Sequence, residues 1–167
     1  MHNLKLLLTR PLTKAGSGAV IFFFIVALLG FADATYLTVE HYRNVIPPCS
    51  ATAGCETVLT SQYSEVLGFP VSLGGAIYYF AVMVGSLLYL ESKHLSANVR
   101  SHHWAILKWT LFATTLGLLA SLWFVYLQAF VIHSYCQYCL GSAFTSTVLF
   151  ITAMEIIRKN EEASAQS

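Results

Sequence analysis

Charge is what this chain has least of. Only 10% of its 167 residues are Asp, Glu, Lys or Arg, against about a quarter in a typical soluble domain. That deficit excludes a well-hydrated globular surface and points to an integral membrane protein. The net charge is only +1, so no bulk basic field argues for a nucleic-acid partner. A Gly-rich phosphate loop, a low-complexity tract and an internal repeat are also missing. Cysteine is scarce, with four in the chain, and their placement matters more than their number.

What the chain has in quantity is apolar sequence, 56% of it. Four long apolar segments cover residues 17–39, 69–90, 109–132 and 138–157. Each is about 20 residues or more, enough for a helix to cross a hydrocarbon core of roughly 30 Å. Backbone groups in lipid must pair internally, and continuous rather than alternating runs argue against a β-barrel. The expected fold is an all-α membrane protein, a four-transmembrane-helix bundle. The first segment has a competing reading as a cleaved signal peptide. Lys5, Arg10 and Lys14 form a basic n-region, 19–31 an apolar core, and Ala32-Asp33-Ala34 a cleavage-like site. The apolar run continues through Tyr36, Leu37 and Val39, which favours a retained helix. The expected organisation is a cytoplasmic segment 1–16, a transmembrane redox domain 17–157 with an outer loop 40–68, and a polar cytoplasmic tail 158–167.

Orientation follows from the nine Lys and Arg residues. Lys5, Arg10 and Lys14 precede the first segment. Lys93, Arg100 and Lys108 fall between or beside the second and third. Arg158 and Lys159 follow the fourth. Arg43 alone lies in the long loop after the first segment, which also holds Glu40, Glu56 and Glu65, and the turn 133–137 has no Lys or Arg. Both termini and the 91–108 loop are therefore expected in the cytoplasm. Residues 40–68 and 133–137 then face an oxidising compartment, outside the inner (plasma) membrane if the host is bacterial.

This orientation collects every cysteine on one side. Cys49 and Cys55 are in the outer loop; Cys136 and Cys139 open the last segment. Three readings compete. Structural disulfides suit Cys49–Cys55, which would close the loop "CSATAGC", but a bridge within the C-x-x-C turn would restrain almost nothing. A Cys₄ metal site has C-x₂-C spacing right for zinc, but C-x₅-C is loose and residues 50–54 hold no His or Asp. A dithiol relay would pass electrons between two pairs by thiolate attack on disulfide sulfur. Cys136 in the first helical turn would have its thiolate favoured by free N–H groups and opposed by burial. A dithiol held in a membrane bundle also needs a membrane-soluble acceptor, for which quinones are the obvious candidates.

The residues around the cysteines carry a resemblance. "DATYLTVEHY" (33–42), "CSATAGCETVLTSQYSEVLGFPVSLGGAIYY" (49–79) and "CQYC" (136–139) together resemble the vitamin K epoxide reductase family in its bacterial branch, over about residues 18–157. The DsbB family also couples thiols to quinone in four helices, but its C-x-x-C lies in the first outer loop. The resemblance implies a four-helix bundle with a quinone pocket near its outer face, capped by the first loop. It implies that Cys139 is the thiol nearest the quinone and that Cys136 exchanges with the loop. Cys55 would pass electrons to Cys136, and Cys49 would form the mixed disulfide with a thioredoxin-like partner. Ser61 falls at the family's loop serine and, with Cys139, is implied to meet the quinone. Many bacterial relatives carry a fused thioredoxin-like domain. Here "RKNEEASAQS" ends the sequence, so the partner is expected to be a separate protein on the outer side.

Other residues complete the reading. Residues 56–68 read as a short helix, with Val58, Leu59, Val66 and Leu67 as a lid over the bundle mouth. Gly68 and Pro70 would end it. Asp33, the only acid well inside an apolar segment, is expected to bond to Thr35, His41 or a neighbouring helix rather than to handle protons. Residues 22–24, 78–80 and 123–126 supply aromatics read as packing and interface groups. Gly74, Gly75, Gly85 and Gly117 are expected to permit close helix approach, and His102 and His103 have no catalytic role. The function expected is a membrane thiol:quinone oxidoreductase that reoxidises an exported dithiol protein, in support of disulfide-bond formation. The alternative is a non-catalytic membrane subunit with structural disulfides.

Overall fold

The computed structural model describes residues 14–50, 54–92 and 100–165. Lys5, Arg10, Lys93 and most of the basic n-region lie outside them. The elements are α1 (Lys14–Tyr42), the short α2 (Cys55–Leu59), a two-stranded hairpin of β1 (Glu65–Val66) and β2 (Phe69–Pro70), α3 (Val71–Ser92), α4 (Arg100–Leu127) and α5 (Gln137–Ala165). Among the described residues, four helices are long and apolar enough to span a bilayer: Gly18–Tyr42, Val71–Tyr89, Lys108–Ile132 and Gln137–Lys159. They match the four apolar segments of the sequence to within a few residues. α5 runs on into the polar tail as far as Ala165.

The helices form a closed ring in which α1 packs on α3 and α5, and α4 on α3 and α5. Its core holds Val20, Phe23, Ala27, Tyr79, Val82 and Leu149. Many large apolar residues point outward, among them Phe22, Phe80, Trp109 and Phe144, as a bundle solvated by lipid requires. The Tyr79 hydroxyl clasps α3 to α5 by bonding the Ser142 carbonyl at 2.9 Å, Thr145 Oγ1 at 2.7 Å and Ser146 Oγ at 3.1 Å. Interhelical bonds of this kind average about 0.6 kcal/mol in a bilayer. A Cβ at Gly117 would run into the Tyr78 ring, and one at Gly30 into the Tyr79 ring. Gly117 was expected to be such a position and Gly30 was not. Gly74 meets open space, so its small size is not needed for helix contact.

The element ends are built locally. Asn44 closes α1 in the left-handed region, φ 54°, with Val45 N–H bonding the Glu40 carbonyl and Asn44 N–H that of His41. This is a Schellman cap. The helix expected over 56–68 is corrected: only Cys55–Leu59 is helical. Thr60, Ser61 and Ser64 turn their hydroxyls onto the carbonyls of Glu56, Val58 and Ser61, an alternative to continuing the helix. Leu67 (φ 56°) and Gly68 (φ 81°) then form a two-residue turn with both residues left-handed, which pairs β1 with β2. Val58 is buried as expected of a lid, whereas Val66 and Leu67 are exposed, Leu67 by 94%.

Candidate functional site

The site begins where α4 ends. Its last turn widens into a π-helical segment, Gln128–Ile132, a distortion frequent at functional sites. His133 follows at φ 55°, and Ser134 N–H bonds the Gln128 carbonyl at 3.1 Å. The buried Gln128 side chain reaches further, its Oε1 accepting the Cys136 N–H at 2.9 Å. One residue thus fixes both ends of the turn that presents Cys136. Leu140 N–H bonds the Cys136 carbonyl at 3.0 Å, so Cys136 is the N-cap of α5 rather than a residue within its first turn.

The outer loop is tied down over this cap. Ser50 N–H bonds Gln137 Oε1 at 3.2 Å, and Tyr138 Oη donates to the Pro48 carbonyl at 2.9 Å. Gly54 lies against the opposite turn, where an added Cβ would sit 2.8 Å from the Tyr135 nitrogen and 2.9 Å from the Ser134 Cβ. Only glycine permits that approach. Cys49 and Cys55 are joined in a disulfide with Cα atoms 6.1 Å apart. Cys136 and Cys139 are free thiols. Cys55, Val58 and Cys136 form one buried cluster, and Cys49, Leu59, Ile132, Tyr138 and Cys139 pack against it. All four sequence-selected cysteines therefore meet at one end of the bundle.

The Cys136 thiol is held down at about 7. The hydrogen bond from the Cys139 thiol is the main cause, working against desolvation, and the backbone N–H groups of Cys139 and Tyr138 add to it. A helix N-terminus is where a thiolate is best stabilised.

Beneath the loop lies a cavity of about 1470 Å³. All four spanning helices wall it, with Leu37, Tyr78, Leu116, Phe124 and Ser142 among the lining residues, and the hairpin contributes Val66 and Phe69. Cys139 lines it; Cys136 does not. Ser61 is on its wall too. Tyr78, Tyr79 and Phe124, read from sequence as packing aromatics, also face this space. A wide, mainly apolar chamber with scattered polar groups suits a flat, lipid-soluble ring compound. The donor set therefore fits a quinone, with Cys139, Ser61 and the cavity wall as the residues that would hold it.

Asp33 departs from expectation. Its Oδ2 is buried with no hydrogen-bond partner, as is Thr35 Oγ1. His41 pairs instead with Glu65 at 3.4 Å, linking α1 to the hairpin. Asp33 lines the cavity. Gln128 is the polar residue here that sequence reading missed. Gln128 sits in an apolar segment with no spacing to mark it, whereas Asp33 stood out as an acid in such a segment and was assigned to bonds it does not make.

A comparison with curated proteins returns no match. The model of the vitamin K epoxide reductase family matches residues 21–154, a span that takes in all four cysteines and nearly all of the bundle. The chain belongs to the vitamin K epoxide reductase family, membrane-embedded thiol–disulfide/quinone oxidoreductases.

Proposed function

We propose that this protein oxidises a dithiol partner in an exported compartment and passes the electrons to a quinone of the membrane, so that new disulfides are made outside. One observation carries the reading. Cys139 opens onto the cavity while Cys136, its neighbour in the C-x-x-C turn, is buried beside Cys55 of the loop disulfide. One pair has access to the bundle interior and the other to the loop surface.

In this scheme Cys49, the partly exposed member of the loop pair, takes the mixed disulfide with a separate thioredoxin-like protein. The Cys55 thiolate then attacks Cys136 of an oxidised Cys136–Cys139 pair and expels Cys139 as a thiolate. Cys49 resolves the Cys55–Cys136 bond, re-forming the loop disulfide, and the reduced inner pair, with Cys139 on the cavity wall, faces the acceptor. Gln128 and the N-cap hold Cys136 where Cys55 can be reached. A bound quinone supplies an acceptor for two electrons and two protons, and Ser61 and Cys139 contribute to its binding. The charge distribution supports termini in the cytoplasm of a bacterial inner membrane with the cysteines outside, since Arg43 is the single cation of the outer loop and is paired with Glu40 at 3.1 Å. The redox bundle in this scheme is 17–157, flanked by a cytoplasmic N-terminal segment 1–16 and a polar cytoplasmic tail 158–167.

The test is anaerobic. Purified, fully reduced protein is mixed with a soluble quinone analogue, and its free thiols and the quinol are counted. Loss of two thiols per quinol formed supports the scheme. Four thiols that persist while quinone stays oxidised return the protein to a non-catalytic membrane subunit.

A further inference from the structure

We propose that Asp33 is the proton-relay residue of the cavity, taking a proton from the Cys136–Cys139 dithiol and delivering it to an oxygen of the bound quinone. This rests on the thiol:quinone reading above. Three observations converge on the residue. Asp33 shares the cavity wall with Cys139. Its Oδ2 is buried without a partner. It interacts electrostatically with both Cys136 and Cys139.

Leaving a buried polar atom unsatisfied costs about 1–3 kcal/mol, and a native structure that keeps one calls for an explanation. An ionisable group within a spanning helix is by default a functional one. The other acids on the cavity wall are engaged: Glu40 with Arg43 at 3.1 Å and Glu65 with His41 at 3.4 Å. The titratable groups around Asp33 are Cys136 before α5, Cys139 on α5, Tyr78 and Tyr79 on α3, Glu40 and His41 on its own helix, and Tyr63 and Glu65 in the loop. α4 contributes none to the cavity wall. Asp33 is therefore the carboxyl left open to whatever enters.

The balance is simple. Forming the Cys136–Cys139 S–S bond breaks two S–H bonds and releases two electrons and two protons; reducing a quinone to quinol consumes both. The electrons leave through the Cys139 sulfur. Asp33 accepts one thiol proton on its carboxylate and donates it to a quinone oxygen, so its own state is restored. The second thiol proton is lost to bulk water and the second quinol proton is drawn from water at the cavity mouth, so the sum balances.

The test uses the full chain in lipid nanodiscs as wild type, Asp33→Asn and Asp33→Glu, reduced and mixed anaerobically with a short-chain ubiquinone analogue. Single-turnover quinol formation should fall by about 10²-fold in Asp33→Asn, the usual scale of lost proton transfer. One ionisation should vanish from the pH–rate profile, and Asp33→Glu should recover most of the rate. A second readout needs no quinone: the dithiol-to-disulfide infrared difference spectrum should contain a carboxyl band that Asp33→Asn removes. An Asp33→Asn protein with unchanged rate and profile overturns the proposal. So does a slow variant that keeps the wild-type pH profile and infrared band, because that marks a structural role. A wild type that reduces no quinone removes the underlying reading and this one with it; an active wild type indifferent to Asp33→Asn removes this one alone.

Discussion

Cys55 and Cys136 are packed into one buried cluster at the mouth of the bundle, although one belongs to the outer loop and the other to the turn before α5. Cys55 is 1% exposed and Cys136 fully buried. Gly54 against the Ser134–Tyr135 backbone and Ser50 on Gln137 hold the loop and the turn together. A thiolate that attacks a disulfide stays in the mixed disulfide until a neighbouring thiol resolves it. The double variant Cys49→Ala, Cys139→Ala removes both neighbours and should trap an intramolecular Cys55–Cys136 bond, which needs Cα atoms about 4.4–6.8 Å apart. Non-reducing mass spectrometry of protein mildly oxidised in intact membranes should find one cross-linked peptide. Free thiols alone, or intermolecular dimers alone, would count against exchange between the pairs.

The two pairs should also separate by electron donor. Cys139→Ala removes the thiol on the cavity wall and should abolish quinone reduction with any donor. Cys49→Ala removes the more exposed thiol of the loop pair, the one proposed to meet the protein partner, and should leave reduction driven by dithiothreitol largely intact. Anaerobic quinol assays of the two variants decide the matter, and equal losses would show that the pairs do not divide the work.

Cys136 gives a pH signature. Its pKa in the folded, reduced protein lies near 7, below the thiol value of 9.0, chiefly through the hydrogen bond from Cys139. A depressed pKa stabilises the fold fully above the unfolded value, near pH 9, and that contribution is lost as pH falls through about 7. In a Cys49→Ala, Cys55→Ala background, thiolate absorbance should show one titration centred near 7. Adding Cys139→Ala should move it upward towards an ordinary thiol, while Cys139→Ser, which keeps a donor, should move it less. A midpoint that ignores residue 139 would mean that the backbone N–H groups alone set it.

Gln128 is the least obvious part of the site. Replacing it by Leu keeps its bulk but leaves the buried Cys136 N–H without its 2.9 Å acceptor. The expected cost is about 1–3 kcal/mol, read as a lower unfolding temperature in detergent. Slower Cys55–Cys136 exchange should accompany it, because the turn that presents Cys136 is no longer fixed. A variant with wild-type stability and exchange would show that the π-helical segment holds the turn unaided.

Much of this was legible in the chain. Spanning helices depend on long apolar runs, and the four runs place the spans to within a few residues. The cysteine pairs could be read because their spacing and flanking residues are local. The segment 56–68 was misread because its apolar residues suit a helix, while the hydroxyls of Thr60, Ser61 and Ser64 and the left-handed Leu67–Gly68 pair settle it otherwise. Gly54 and Gln128 act across elements, against residues distant in the chain, and no local pattern announces such contacts; Asp33 was visible as an acid in an apolar run, but its lack of a partner was not. The cavity is of the same kind, since it exists only once four helix faces are brought round it.

Orientation remains to be tied to chemistry. Lys108, Arg158 and Lys159 stand at the ends of α4 and α5 spans remote from Cys136 and Cys139. At the cysteine end Arg43 is offset by Glu40, so little net positive charge resists transfer across the membrane. In the sequence eight of the nine Lys and Arg residues fall on the other side of the four apolar runs, and the positive-inside rule predicts that side to be cytoplasmic. Alkaline phosphatase folds only where its disulfides form, so it reports the side directly. Fused after Ser64 it should be active, with the first helix alone exporting it; fused after Lys93 it should be inactive. The reverse pattern would place all four cysteines in a reducing cytosol, where neither the Cys49–Cys55 disulfide nor any disulfide made on a partner would persist, and the proposed oxidation of an exported dithiol would fail.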